Sequence, residues 1–273
     1  MVQNDLRPQR TVLIYYFGLC FLMAWVVWIP AGLWAAASPA LVLLGAWAPT
    51  LAALLVTGAT EGRTGLWALM RSLTKWRVPA KYYAFAILSV LGLALLSMSV
   101  HVLLGGPRPE ITDTAARFGV PANLFLVLTP LIFVTSIFFG GPIAEELGWR
   151  GFAQPRLQSQ LGAGTAGLLI GFLWSLWHLP LFYFSPGAVG NLPVGYYIPL
   201  VTALGVLFAW LYNRSEGSVL LCILLHAGVN FAVGIIGGNG FTADRTLMTI
   251  LVLLMSVLAL LLYKQIRSIH AMP

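Results

Sequence analysis

The sequence predicts an all-α fold, a polytopic integral membrane bundle of about eight transmembrane helices. Of the 273 residues, 59% are hydrophobic and only 8% are charged, whereas ordinary globular chains carry about 25% charged residues. The apolar residues are collected in runs of roughly 20 or more, the length at which a helix crosses a bilayer. These runs lack the alternation of barrel strands, and a helix satisfies its own backbone hydrogen bonds in lipid.

Eight apolar runs along the chain are long enough to cross a membrane. They cover residues 11–37, 39–59, 82–104, 124–154, 165–184, 194–212, 218–236 and 246–263. The fourth run is longer than a bilayer requires, so we expect it to tilt or to extend beyond the membrane. Gly167 and Gly171 in the fifth run have the spacing that is typical of close helix packing. No long linker interrupts the series, so residues 1–273 are expected to form a single membrane domain.

The basic residues are divided unevenly between the two faces that these runs define. Twelve of the 15 Lys and Arg fall on one face and three on the other. The twelve are Arg7, Arg10, Arg63, Arg71, Lys75, Arg77, Lys81, Arg150, Arg156, Arg214, Lys264 and Arg267, and the three are Arg108, Arg117 and Arg245. The positive-inside rule then predicts a multi-pass protein of the cell membrane with both termini cytoplasmic. The net charge of +7 has this simple origin, and no nucleic-acid partner is expected because no basic stretch is interleaved with aromatic residues.

Three ionisable residues, Glu145, Glu146 and Arg150, lie near the end of the fourth run. A charge in hydrocarbon costs roughly 2.5 to 3.5 kcal/mol even on lenient insertion scales, so such residues are functional candidates by default. On a helix Glu146 and Arg150 are i and i+4 and can pair, whereas Glu145 points about 100° away from Glu146. This element indicates either a free general base at Glu145 or a purely structural ion network.

Two histidines strengthen the first interpretation. His178 lies deep in the fifth run, and His226 lies in the seventh with Asn230 one helical turn further on the same face. A lone His in an apolar helix is more often a packing residue, but polar groups on three separate spans each need a partner inside the bundle. We therefore expect these motifs to face one another. His101 and His270 have no polar neighbours in sequence and are interpreted as incidental.

Three ordered motifs resemble those of the CPBP family. They are Glu-Glu-x-x-x-Arg ending at Arg150, aromatic-x-x-x-His from Trp174 to His178, and His-x-x-x-Asn from His226 to Asn230. The family groups type II CAAX prenyl endopeptidases with bacteriocin-processing and self-immunity proteins, all related to the eukaryotic Ras-converting enzyme. The motifs define a protease-like core at about residues 124–236. The family usually has Phe where this chain has Trp174, for which packing alone is the expected role.

The resemblance implies hydrolysis of a peptide bond inside the membrane, close to its cytoplasmic side. It implies that Glu145 activates a water with help from His178. It also implies that His226 and Asn230 donate hydrogen bonds to the oxyanion of the tetrahedral intermediate. The residues that would hold the shape of this site are Glu146, Arg150 and Trp174. The implied partners are membrane lipid and a lipidated or hydrophobic peptide or protein, with a prenylated CAAX-type C terminus as the best-known target.

The residues leave a metal site and two other functions open. No cofactor is favoured, but Glu145, His178 and His226 could be ligands of a catalytic zinc if they met from three helices. Asn230 favours the metal-free mechanism, because Asn suits an oxyanion hole and is a rare metal ligand. The alternatives to a protease are a non-catalytic immunity or scaffold relative and a transporter that uses the buried acids as a proton relay.

Overall fold

The computed structural model describes residues 6–34, 39–184, 192–238 and 243–269, which form a helical bundle. The α-helices in this part of the chain are α1 (Leu6–Trp34), α2 (Pro39–Ala46), α3 (Ala48–Arg71), α4 (Ala80–Leu103), α5 (Ile111–Arg117), α6 (Phe125–Phe139), α7 (Pro142–Glu146), α8 (Gln154–Leu161), α9 (Ala163–Trp177), α10 (Leu179–Phe184), α11 (Val194–Arg214), α12 (Val219–Gly238) and α13 (Arg245–Ile269). A 3₁₀ turn covers Ser72–Thr74, and a π-helix covers Leu147–Ala153.

The described helices confirm a polytopic membrane bundle. Seven segments are long and apolar enough to cross a membrane, and an eighth is obtained if the bent pair Phe125–Phe139 and Pro142–Leu161 is one span. Each of these segments coincides with one of the eight predicted runs. The chain is therefore a multi-pass membrane protein.

The fourth predicted run is broken inside the bundle and is not one continuous helix. Helix α6 ends at Phe139, and the axes on either side of the break differ by 41°. Gly141 has a φ of 99°, a conformation that glycine adopts without steric cost, and Pro142 begins α7, where its missing N–H is not needed. The break therefore starts a new helix in the interior, and Glu145 lies in its first turn.

Helices α9 and α11 are packed through their backbones. A Cβ atom added to Gly171 would lie 2.7 Å from the carbonyl oxygen of Thr202, and one added to Gly167 would lie 2.8 Å from that of Gly205. Such an approach is possible only between small residues. The packing role predicted for Gly167 and Gly171 is confirmed, and it brings the C-terminal end of α9 firmly into the core.

Helix α6 is the opposite case, because it is poorly buried. Among its residues, Phe125 alone is buried, while side chains such as Leu126, Val127 and Phe139 are largely exposed. These surfaces are apolar and suit contact with lipid. Helix α6 is thus held to the bundle by Phe125 and by partly buried residues such as Ile132 and Phe133.

The bundle has a terminal face, where α1 begins and α13 ends, and an opposite face. Contacts between α13 and the neighbouring helices mark the terminal face: the Tyr263 hydroxyl lies 3.3 Å from the Thr165 hydroxyl, and Trp210 donates to Gln265. The predicted distribution of cations needs one correction, because Arg150 is fully buried and belongs to neither face. Eleven Lys and Arg then remain for the terminal face, against three for the opposite face.

Candidate functional site

The polar residues of the three motifs meet in the middle of the bundle. Glu145 is carried by α7, Arg150 by the π-helix, and His226 and Asn230 by α12. His178 follows the last residue of α9, at a break that Pro180 imposes because proline cannot continue the backbone hydrogen bonds of a helix. The expectation that these motifs face one another is confirmed.

A buried network of three charged or polar groups lies beneath the site. Arg150 Nη1 donates to both carboxylate oxygens of Glu146, at 2.8 and 3.0 Å, as the i and i+4 spacing predicts. The Nδ1 atom of His226 lies 2.8 Å from the same carboxylate. The guanidinium carbon of Arg150 lies 3.7 Å from the ring centre of Phe208, so the cation is also packed against an aromatic face. Glu146 therefore links two of the three motifs.

These contacts place a proton on the Nδ1 atom of both histidines. Both oxygens of the Glu146 carboxylate accept from Arg150 Nη1, so in the contact with His226 it is Nδ1 that carries the proton. The Nδ1 atom of His178 lies 2.9 Å from the backbone carbonyl oxygen of Trp174, which also can only accept. In each ring, Nε2 is the nitrogen that remains for other partners.

Glu145 is not left without a partner, as the helical phase alone suggested. The indole Nε1 of Trp174 donates to Glu145 Oε2 at 2.7 Å, and the Glu145 side chain is almost fully buried. The expectation that Trp174 only packs is wrong for the same reason. Sequence spacing holds no signal for this contact, because 29 residues separate the two and helical phase relates only positions on one helix.

Asn230 connects α12 to the break in the fourth span. Its side-chain Nδ2 donates to the carbonyl oxygen of Gly140 at 2.8 Å. A Cβ atom on Gly140 would approach this nitrogen to 3.1 Å, so a larger residue would crowd the contact. A primary amide has two N–H donors, so the second is available to another group.

A cavity of about 1030 Å³ has the polar cluster at its inner end. From there it extends toward the opposite face, where Pro39, Phe184, Gly234 and Arg117 contribute to its wall. Most of the remaining lining is aliphatic or aromatic. The polar side chains of the three motifs therefore lie at the end of a largely apolar cavity.

The residues proposed as zinc ligands do not fit a metal site as they are placed. Within the described ranges, no group of three or more His, Cys, Asp or Glu side chains is arranged to hold a metal ion.

His101 is not incidental, contrary to the sequence interpretation. It is buried at the end of α4, and its Nε2 lies 3.5 Å from Asp244 Oδ2. Asp244 also accepts the backbone N–H of Leu247 and so caps the start of α13. The contact joins the end of α4 to the start of α13 at the opposite face, so His101 has a structural role outside the polar cluster.

The buried ion pair predicts a large difference between two Arg→Gln variants. Arg150→Gln leaves Glu146 as a buried charge with one partner fewer, which should lower the free energy of unfolding by about 3 to 5 kcal/mol. Arg156→Gln removes a partly exposed ion pair with Glu61, which should cost at most about 1 kcal/mol. Thermal or denaturant unfolding in detergent measures both. Equal losses in the two variants would contradict the structural role of the buried pair.

A comparison with protein families matches the region that holds the site. Residues 127–232 match the family described as type II CAAX prenyl endopeptidase Rce1-like. Over 175 residues the chain is 26% identical to CAAX prenyl protease 2 of Methanococcus maripaludis, an alignment that covers 62% of this chain and 60% of that protein. The chain thus spans about 60% of the length of the curated relative that it matches. All three motifs lie within residues 127–232, so the resemblance predicted from them is confirmed, and the central region of this chain is similar to the Rce1-like family.

Proposed function

We propose that this protein is an intramembrane endopeptidase of the CAAX type. It hydrolyses a peptide bond of a lipidated or hydrophobic peptide or protein that reaches the site within the membrane. The observation that carries this proposal is the position of Glu145, His178 and Asn230 at the inner end of an apolar cavity. The family match and the name of the archaeal relative support the same reaction.

Glu145 is the general base in the proposed mechanism. It takes a proton from a water molecule, and the Nε2 atom of His178 accepts a second hydrogen bond that orients this water. The oxygen of the water attacks the carbonyl carbon of the scissile bond and gives a tetrahedral intermediate. When the carbon–nitrogen bond breaks, the proton held by Glu145 passes to the leaving amine.

Asn230 and His226 stabilise the negative charge on the intermediate. Asn230 donates its second amide N–H, since the first is bound to Gly140. His226 donates from Nε2, so in this step the ring carries a proton on that nitrogen while its Nδ1 is bound to Glu146. Each such donor is worth about 2.7 to 4 kcal/mol in the barrier.

The catalytic assignment predicts that two variants lose cleavage. Glu145→Gln and His178→Ala should each lower kcat by about 10²- to 10⁴-fold, because each removes a group that handles the proton of the attacking water. The measurement is cleavage of farnesylated and unprenylated peptides by purified protein. Glu61→Gln, an exposed residue away from the cavity, is the matched control and should retain wild-type activity.

The same assay separates the alternatives. Equal activity in the wild type and both variants would exclude the catalytic roles of Glu145 and His178. Absence of cleavage by the wild type with every peptide would favour a non-catalytic relative. Full activity after exhaustive chelation supports the metal-free mechanism, whereas loss of activity with rescue by zinc would overturn it.

Trp174 should affect turnover through its hydrogen bond to Glu145. Trp174→Phe keeps an aromatic ring, as in most family members, but removes the N–H that holds Oε2 of Glu145. Hydrogen bonds to charged groups are worth about 1.5 to 3 kcal/mol, so kcat should fall roughly 10- to 100-fold. Trp210→Phe, which loses a bond to Gln265 near the terminal face, is the control. A similar kcat in both variants would show that Glu145 is oriented without the indole.

We propose from the cation asymmetry that the protein lies in the cell membrane with its terminal face in the cytoplasm. The cavity then extends toward the outer side of the membrane. This differs from the side implied by the family resemblance, which places hydrolysis close to the cytoplasm. The two expectations can be separated because Arg108 and Arg214 are exposed residues on opposite faces.

Cysteine labelling in intact cells tests this orientation. A membrane-impermeant thiol reagent added outside should label Arg108→Cys and should label Arg214→Cys only after lysis. The native Cys20 and Cys222 are buried and should give little background. Labelling of Arg214→Cys alone in intact cells would invert the orientation and place the far end of the cavity at the cytoplasmic side.

A further inference from the structure

Residues 63–81, the basic segment, connect α3 to α4 at the terminal face and are rich in exposed cations. We propose that the basic segment binds the head groups of anionic phospholipids. Such binding goes beyond the proposed hydrolysis and does not depend on it. The side chains that carry the proposal are Arg63, Trp67, Arg71, Lys75, Trp76, Arg77 and Lys81.

The basic segment begins where the chain has already crossed the bilayer. The second membrane span, Pro39–Thr74, has 36 residues, whereas about 20 are enough to cross the hydrocarbon. Gly62 interrupts the helical geometry of α3 with a φ of 62°, which glycine adopts without steric cost. The part of α3 after this kink is therefore a separate short helix near the membrane surface.

This short helix has a buried face and an exposed stripe. Gly65 and Leu69, one turn apart, are buried against the bundle. Arg63, Trp67 and Arg71 follow one another at i and i+4 spacing, and all three are exposed. Tryptophan is enriched at the boundary between acyl chains and head groups, where its ring is apolar and its N–H is polar. A cation on either side of such a ring is placed to meet a phosphate.

The cations of the basic segment lack carboxylate partners. The segment itself contains no Asp or Glu, and within the described ranges no salt bridge includes any of its Lys or Arg. Glu61, the nearest acid in sequence, pairs instead with Arg156. Lys75 donates to the backbone carbonyl oxygen of Glu216, which leaves its charge without a counterion. Anionic phosphate is therefore the complementary ligand, and an anionic leaflet attracts segments of this kind.

Trp76 provides a second aromatic ring on the segment and favours a lipid over a soluble anion. Its residue is 59% exposed, and the guanidinium carbon of Arg77 lies 5.1 Å from the centre of its ring. The Tyr83 hydroxyl donates to the Trp76 carbonyl oxygen at 2.6 Å and ties this position to α4. A soluble anion would neutralise the cation but would leave the indole in water.

Lipid bound to the basic segment should stabilise the bundle, because two elements of the polar cluster are packed against it. A Cβ atom added to Gly151 of the π-helix would lie 3.1 Å from Leu69. Ser218, which precedes α12, donates to the carbonyl oxygen of Lys75 at 2.6 Å. A ligand that orders the segment therefore also holds the π-helix and the start of α12, and thermal unfolding should report its binding.

Thermal unfolding in mixed micelles tests the inference. A neutral detergent carries either phosphatidylglycerol or phosphatidylcholine at the same mole fraction. With the wild type, Tm should be about 3 to 6 °C higher with phosphatidylglycerol, the shift expected when the lipid is present at about ten times its Kd. Salt at about 1 M should remove most of this difference, because the Debye length falls to about 3 Å.

Two double variants remove the same charge from different parts of the terminal face. Arg63→Gln combined with Arg71→Gln should reduce the Tm difference by at least half. Arg214→Gln combined with Lys264→Gln removes two exposed cations outside the basic segment and should keep the full difference. Lysine at both positions 63 and 71 preserves the charge and should also keep the difference.

Three outcomes would overturn the inference. The first is an equal Tm of the wild type with the two lipids, which decides the question even if a variant does not fold. The second is an equal loss in both Gln variants, which would show a general effect of charge on the terminal face. The third is the same shift with inorganic phosphate in place of the lipid, which would assign the cations to a soluble anion. No step measures proteolysis, so each of these results leaves the proposed function intact.

Discussion

The buried carboxylate of Glu146 is the constraint on which the site depends. It accepts hydrogen bonds from Arg150 and from His226, so the π-helix and α12 are held together by one anion. A charge in this position is tolerated only because both partners are present, since an uncompensated buried charge costs several kcal/mol. The pair of acids in the first motif thus has two distinct tasks. Glu146 links the π-helix to α12, and Glu145 lines the cavity.

Helical periodicity could predict the contacts that lie within one helix. The Glu146 and Arg150 pair follows from i and i+4 spacing, and the eight runs follow from composition and length. The close packing at Gly167 and Gly171 could also be predicted, because small residues at this spacing let helix backbones approach one another. Each of these needs only the relation between neighbouring positions on a single helix.

Most contacts between different helices could not be predicted from the sequence. The rotation of one helix about its axis relative to another is set by the whole bundle, so the bonds of Glu145 to Trp174 and of His226 to Glu146 had no signal in spacing. The break before Glu145 is different, because Gly140, Gly141 and Pro142 are adjacent residues that commonly end a helix. The hydrophobic run concealed that signal, since its composition alone favours one continuous span.

The tightly packed pair α9 and α11 and the exposed helix α6 differ in how easily each could move to open the cavity toward the bilayer. Separation of α9 from α11 would break their close backbone packing, and no other contact in the bundle would compensate for that loss. Displacement of α6 about Gly140 and Gly141 exposes surfaces that are already apolar, and it disturbs little buried area. For the substrate proposed above, α6 is therefore the wall of the cavity that can be displaced with the least loss of buried contact.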